Sequence, residues 1–401
     1  MIKREAGFSL VELMITMIVF VFFIAAASQV FTGLLTQFKQ QSKIAETNIE
    51  GIVGLEILRR DLDHAGYGVP WNIPSGVTYS EASSSTVCGS ADPSTYNDAA
   101  PNAPRAILSG NNNCTNNSDY LVIKAVNVAT NDPSSKWTEL VYASSCAAPY
   151  SSFATNVCKR TWSSSTEDLS SSDNVILISI GATSATERLL MANSGAFSAT
   201  SFSSIDSSWL PTSATDNIRI VYGLNSGNAP KRPFNRADYY ISTTNVPLRC
   251  ASGTGILEKA TMDYIGGFNQ LPLLDCVADM QVGFGVDTDA TTDGQINCYT
   301  NDLANVFATV NAQNIRERVK EVRVYILAHE GQYDRSFTFN PPVSPNSISV
   351  GEVSASLPTG TGICTGETII GRNFDLSAIT NWQNYRWKIY TIVLKPVDLG
   401  S

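Results

Sequence analysis

Histidine is almost absent from this chain: His64 and His329 are the only two in 401 residues. That scarcity excludes a multi-histidine metal centre and removes the usual imidazole base of hydrolytic catalysis. Basic charge is also short, 27 Lys and Arg against 36 Asp and Glu, so a broad phosphate-binding surface is excluded and nucleic acid is not an expected partner. No two cysteines stand at C-x-x-C spacing, which argues against a zinc site. His329-Glu330 lacks the second histidine of a zinc-protease helix, no G-x-S-x-G elbow occurs, and no glycine-rich phosphate loop ends in Lys-Ser or Lys-Thr. No catalytic residue is therefore assigned and no cofactor is expected. Proline is missing before Pro70 and cysteine before Cys88, so the first part of the chain can run as one uninterrupted helix.

What is there begins at the N-terminus. Met1 to Gly7 is a short leader carrying Lys3 and Arg4, and from Phe8 to Phe31 the chain is nearly all apolar. Leu10 to Phe31 as a helix covers about 33 Å at roughly 1.5 Å per residue, enough for the hydrocarbon core of a bilayer. The leading basic residues favour a cytoplasmic N-terminus, with everything after Gly33 outside the cytoplasm. A secretory signal puts its small cleavage residue after the apolar run. Here Gly7 stands before it, in Gly7-Phe8-Ser9-Leu10-Val11-Glu12-Leu13, which resembles the leader junction of type IV prepilins and type II secretion pseudopilins. The resemblance implies cleavage between Gly7 and Phe8 by a prepilin peptidase, methylation of the new Phe8 amine, and retention of the apolar helix.

Glu12 is an acid inside that run, where an ionised carboxylate is costly unless paired, and intramembrane acids are functional-site candidates. The resemblance supplies a partner: the Phe8 amine of a neighbouring subunit, drawn to Glu12 during assembly. The competing reading is a carboxylate that simply reaches the headgroup layer.

Past the membrane the apolar pattern continues as Ile49, Ile52, Val53, Leu55, Leu58 and Leu62 among charged residues, an amphipathic extension of the same helix. Gly51 and Gly54 weaken this half by about 1 kcal/mol each relative to Ala, which calls for tight packing on a sheet or a neighbouring helix. Gly66, Gly68 and Pro70 end it. The expected division is 1–7 leader, 8–31 transmembrane half of the spine, 32–66 amphipathic outer half, and 67–401 a β-rich extracytoplasmic domain with an insertion at about 75–250.

Leu58-Arg59-Arg60-Asp61-Leu62-Asp63-His64-Ala65-Gly66-Tyr67-Gly68 resembles the helix-end signature of PilW-type minor pilins, and equally describes a helix terminus with glycine at its cap and His64 as a dipole partner. Asp275 to Asp287, Val319 to Leu327 and Tyr385 to Leu394 resemble closing strands of the same family. Strands are predicted at Tyr120–Val128, Asn174–Ile180, Ile218–Tyr222, Asp238–Ser242, Met280–Val286, Glu321–Ala328 and Tyr385–Leu394, assembling as an antiparallel sheet. One further helix is expected, capped by Asp302 and running through Leu303, Val306, Phe307 and Val310 toward Arg316. Ser-, Thr- and Asn-rich stretches at 75–119, 143–172 and 193–217 read as surface loops or a small inserted β layer.

The eight cysteines, Cys88, Cys114, Cys146, Cys158, Cys250, Cys276, Cys298 and Cys364, all follow the spine, as disulfides in an oxidising periplasm would. Pairing neighbours gives Cys88 with Cys114, Cys146 with Cys158 and Cys276 with Cys298, leaving Cys250 with Cys364, one connectivity among many. The loop carrying Asp287, Asp289 and Asp293 offers oxygen ligands for a hard cation such as calcium, but Thr292 stands where an EF-hand wants Gly and Cys298 where it wants Glu, so a solvated hairpin is the competing reading.

The expected fold class is α+β and type IV pilin-like: a long N-terminal helical spine, membrane-embedded in its first half, packed on an antiparallel β-rich domain with long disulfide-bearing loops. The resemblance implies a minor pilin that takes part in type IV pilus assembly or initiation in a tip or priming complex. Its implied partners are the prepilin peptidase, major and other minor pilins, the inner-membrane assembly platform and a tip adhesin. Its implied location is the inner membrane, single-pass, before the periplasm and the pilus at the cell surface. A type II secretion pseudopilin of GspJ type and a pilus-borne adhesive binding module are the alternatives.

Overall fold

The computed structural model describes residues 9–184, 186–199, 201–342, 344–358, 360–364 and 368–399. One helix, α1 (Leu10–Asp63), runs for 54 residues, about 81 Å at roughly 1.5 Å per residue. No proline interrupts it, as the sequence leads one to expect. It stops at His64, whose backbone N–H still bonds to Arg60 O at 3.2 Å. Gly66 and Gly68 then turn the chain at φ +89° and +68°. A Cβ at Gly68 would lie 2.6 Å from Val126 Cγ2, so the turn requires glycine for its conformation and for its fit.

The main sheet has nine strands, in the order Ile107–Gly110, Tyr120–Ala125, Asn235–Ser242, Gly255–Met262 and Phe268–Val286, continuing through Val319–Glu330 to Arg386–Leu394. Cys298–Thr300 also pairs with the end of Phe268–Val286, and Gly362–Ile363 joins it in the sheet's one parallel pairing among the described residues. The remaining neighbours are antiparallel. Leu58 and Leu62 of α1 pack on one face with Leu257, Leu273, Leu274, Val322 and Ile392. The opposite face carries a separate core with Tyr299, Tyr325 and Leu327, covered by the paired strands Ser347–Val353 and Ile369–Asp375.

A second sheet of seven strands lies wholly between Trp137 and Ser226. Its Arg219–Ser226 strand pairs with Trp137–Tyr142 on one side and Asp173–Ser179 on the other. Tyr67, just after α1, meets Tyr222 of this sheet edge to face at 5.4 Å, while its carbonyl accepts the Val126 N–H at 2.8 Å. The segment expected as an insertion thus contributes Tyr120–Ala125 and Asn235–Ser242 to the main sheet and the whole second sheet besides.

Each predicted strand falls on an observed one; most ends shift by a few residues, but the strand expected at Met280–Val286 begins twelve residues earlier, at Phe268. Tyr120–Val128 closes at Ala125 because Val126–Val128 tightens into a 3₁₀ turn. The helix expected from Asp302 is corrected: the Asp302 carboxylate caps only a 3₁₀ turn, Leu303–Asn305, and the helix proper is α2 (Ala312–Arg318), capped by Asn311. The apolar spacing of Leu303 and Phe307 instead reflects two side chains reaching down into the main core.

Candidate functional site

The candidate site is the surface and seating of α1. At its start, Ser9 and Glu12 form a reciprocal capping box: the Glu12 N–H donates to Ser9 Oγ at 3.2 Å, and the Ser9 N–H donates to Glu12 Oε2 at 3.1 Å. Two amide donors that the first helical turn would otherwise leave open are satisfied in this way. The S-x-x-E spacing carries this signal in the sequence, and the argument from membrane cost alone passes over it. Gly7 and Phe8, the expected cleavage and methylation positions, lie outside the described residues.

From Leu10 to Phe38 the large apolar side chains of α1 are all exposed among the described residues. Phe22 and Phe23 are more than 70% exposed, and no residue of the helix's apolar window is buried. Its mean hydropathy of 2.6 over eighteen residues suits a bilayer or other helices rather than water. Farther out, Ile49, Ile52 and Val53 keep an apolar face open beside the docked one.

The last turns sit on the sheet. Gly54 presses its backbone against the Phe268–Val286 strand so closely that a Cβ would lie 1.8 Å from Leu273 O. Gly51 likewise leaves only 3.0 Å to Leu274 Cδ1. The two glycines that weaken the helix are therefore what lets it approach the strand. Leu58 and Leu62 are fully buried here. Between them Asp61 accepts hydrogen bonds from Lys259 Nζ and Tyr239 Oη, both on main-sheet strands and both buried. Burial pushes the Asp61 carboxyl above its usual range, against the pull of the Lys259 ammonium and the hydrogen bonds. Asp61 is a site residue that the sequence reading missed; an acid between Leu58 and Leu62, on the inward stripe, is the signal that marks it.

Other sequence-selected residues are placed as follows. All eight cysteines pair, Cys88 with Cys114, Cys146 with Cys158, Cys250 with Cys276 and Cys298 with Cys364. The pairings Cys276 with Cys298 and Cys250 with Cys364 are corrected. Cys276 lies ten residues before Val286, the residue opposite Cys298, about 33 Å away along an extended strand. Cys250 instead precedes Gly255, which pairs with Val277 and so brings Cys250 to Cys276.

Asp287, Asp289 and Asp293 do converge, with ligand oxygens within 4.8 Å of one another, a hard-oxygen set that suits a cation such as calcium. Asp287 also holds the loop by itself, taking the N–H groups of Asp289, Asp293 and Gly294 at 2.9 to 3.1 Å. His64 closes the helix through Nδ1 and Arg60 O, 3.0 Å apart. His329 is sealed in an aromatic box with Tyr385 and Trp387, its Nε2 accepting the Ala251 N–H at 2.9 Å, and burial lowers its pKa to about 3. A neutral, enclosed imidazole of this kind serves packing.

The Ser-rich loop before Tyr120 is fastened by buried charge. Lys124 meets Glu81 at 2.8 Å and Asp98 at 2.5 Å, and Arg236 meets Glu81 at 3.2 Å and Asp238 at 2.7 Å. Each cation here has its carboxylate, the condition under which buried ions are tolerated.

With this geometry in place, the comparisons with known proteins can be read. Residues 238–393 match the family model described as Type IV Pilus-assembly protein W, and residues 2–28 match the prokaryotic N-terminal methylation motif. No curated protein and no solved structure gives a significant match. The first match spans the strands on which α1 is seated, and the second spans the residues ahead of α1 and the helix as far as Ser28. Over these two stretches the chain is similar to PilW-type prepilin-like proteins, which supports a link to the minor pilins of the type IV pilus.

Proposed function

We propose that this chain is a minor pilin that acts in the assembly and initiation of a type IV pilus, as a subunit of a tip or priming complex. The observation that carries the reading is the bare half of α1: a helix of this apolarity with no partner in its own chain is built to lie in a bilayer and then against the helices of other subunits. In this reading a prepilin peptidase cuts between Gly7 and Phe8, the Phe8 amine is methylated, and Glu12 receives the corresponding amine of a neighbouring subunit. The capping box occupies only one oxygen of Glu12, so the carboxylate keeps acceptor capacity for that amine. The globular domain stays outside the cytoplasm, where its disulfides are stable. Its partners are then other pilins and the inner-membrane assembly platform.

The test is a count of sheared surface pili, with secreted exoprotein measured alongside, in a strain lacking the gene and in strains complemented with the wild type or Glu12→Ala. Loss of pili with normal secretion, restored by the wild type and not by Glu12→Ala, is the expected result. Normal pili with exoproteins held in the periplasm would replace this reading with a type II secretion pseudopilus. No change in either measurement would leave the adhesive binding module.

A further inference from the structure

Four cations among the described residues are no more than 3% exposed: Lys124, Arg236, Lys259 and Arg232. The first three each meet a carboxylate. Arg232 has none. Its Nη2 donates to two backbone carbonyls, Met262 O at 2.6 Å and Asp263 O at 3.0 Å, and its plane lies over Tyr264 at 4.6 Å. Its Nε is buried without a hydrogen-bond partner. The charges of Glu81, Asp238 and Asp263 act on this guanidinium without forming a direct ion pair with it, and an orphaned buried donor calls for an explanation.

Arg232 lines a cleft of about 500 Å³ between the 80–85 loop and the turn at 262–268, with Lys231, Ser83 and Ser85 also on the wall. Two acids, Glu81 and Asp263, also line the cleft, and three of their four oxygens are already bonded. Both oxygens of Glu81 are taken, one by the Asp98 N–H and the other by Lys124 and Arg236. Asp263 is turned into its own loop, where Oδ1 accepts the N–H groups of Ile265, Gly266 and Gly267. Lys231 Nζ reaches only a carbonyl, Ile265 O, at 3.2 Å. The cleft therefore presents two cations bonded only to neutral carbonyl oxygens, beside serine hydroxyls.

We propose that this cleft is a carboxylate-binding site, with Arg232 as the deep cation and Lys231, Ser83 and Ser85 at the mouth. A carboxylate in the cleft gives the guanidinium the direct ion pair that Glu81, Asp238 and Asp263 do not make with it, and charge-assisted hydrogen bonds to Arg are among the strong ones. The same chemistry is offered by a small dicarboxylate and by an acidic side chain of another polypeptide.

Calorimetric titration of the full chain in detergent micelles, at fixed ionic strength, tests the site with two probes: sodium succinate and a blocked Gly-Glu-Gly peptide. Saturable binding of at least one probe is expected, weakened about tenfold or more in Arg232→Gln and in Ser83→Trp, which fills the mouth from an exposed position. Binding of the peptide alone assigns the site to a polypeptide partner, and binding of succinate alone assigns it to a small anion. No saturable binding of either probe to the wild type overturns the proposal. Equal affinity in the wild type and both variants also overturns it; if Arg232→Gln does not fold, unchanged affinity in Ser83→Trp is sufficient.

Discussion

From Leu10 to Phe38, α1 shows its apolar side chains to the surroundings on every side, whereas from Leu55 to Leu62 the same helix turns Leu55, Leu58, Asp61 and Leu62 inward onto the main sheet. The backbone does not change between them; the partner does. The outer turns are specified by residues far along the same chain, Lys259, Leu273 and Ile392 among them. The inner turns are specified by composition alone, which suits any apolar surrounding of sufficient thickness. The methylation-motif match, residues 2–28, ends within the bare part, and the pilus-assembly match, residues 238–393, holds strands beneath the seated part.

The sharpest way to break this contrast is at Asp61. Asp61→Ala leaves the Lys259 ammonium buried without its carboxylate, and a loss of about 3–5 kcal/mol is expected in denaturant unfolding at neutral pH. A loss below about 1 kcal/mol would show that the seat does not depend on this pair. Next is the double change Cys298→Ser and Cys364→Ser, which opens a loop with a sequence separation of 66 residues in the domain beneath α1. It is expected to lower the midpoint of the domain by about 2–4 kcal/mol while leaving the circular dichroism of the membrane half unchanged. A loss of helix signal in micelles would mean that the halves are coupled.

The two spine glycines give a finer comparison. A Cβ at Gly54 collides with Leu273 O, so Gly54→Ala is expected to cost about 1–3 kcal/mol by forcing α1 off the strand. Nothing lies within 4 Å of a Cβ at Gly33, and Gly33→Ala is expected to strengthen the isolated helix by up to about 1 kcal/mol. Equal effects at both positions would erase the distinction between seated and bare turns. The smallest effect per step is that of pH. His329 is held neutral with its pKa lowered to about 3, so the unfolded chain binds a proton below about 6.5 that the folded chain refuses. Stability on this account is fully present above about pH 6.5 and falls toward pH 3 by at most about 1.4 kcal/mol per pH unit. His329→Gln is expected to flatten that slope without altering the micelle-bound helix.

Much of this arrangement is legible in the sequence, for identifiable reasons. The helix and its end are local features: unbroken apolar spacing, no proline, then Gly66 and Gly68 where positive φ is needed. The strands follow from runs of β-branched and aromatic residues. The Asp302 helix failed because Leu303 and Phe307 repeat at helical spacing while serving the core from a 3₁₀ turn and its exit. Strict pairing in chain order gives all four observed bridges, and Cys250 with Cys276 has the same separation, 26 residues, as Cys88 with Cys114; the error lay in preferring the shorter Cys276 to Cys298 spacing, which the register of the main sheet excludes. Asp61 with Lys259 and Arg232 without a carboxylate are long-range facts of the same kind. The sequence shows a charged residue in an apolar row, and only the fold shows what stands opposite.

Gly54 has a further consequence when the molecule is under tension. In the proposed filament role the chain is pulled along α1, and that pull passes into the globular part through the last turns of the helix. The Asp61 carboxylate grips Lys259 on the Gly255–Met262 strand, and the Gly54 backbone lies against Leu273 O on its neighbour, the Phe268–Val286 strand. This strand is hydrogen-bonded along both edges and runs through the centre of the main sheet. A pull on α1 therefore enters two strands that are hydrogen-bonded to each other, and the small residue at Gly54 sets how short the lever arm is.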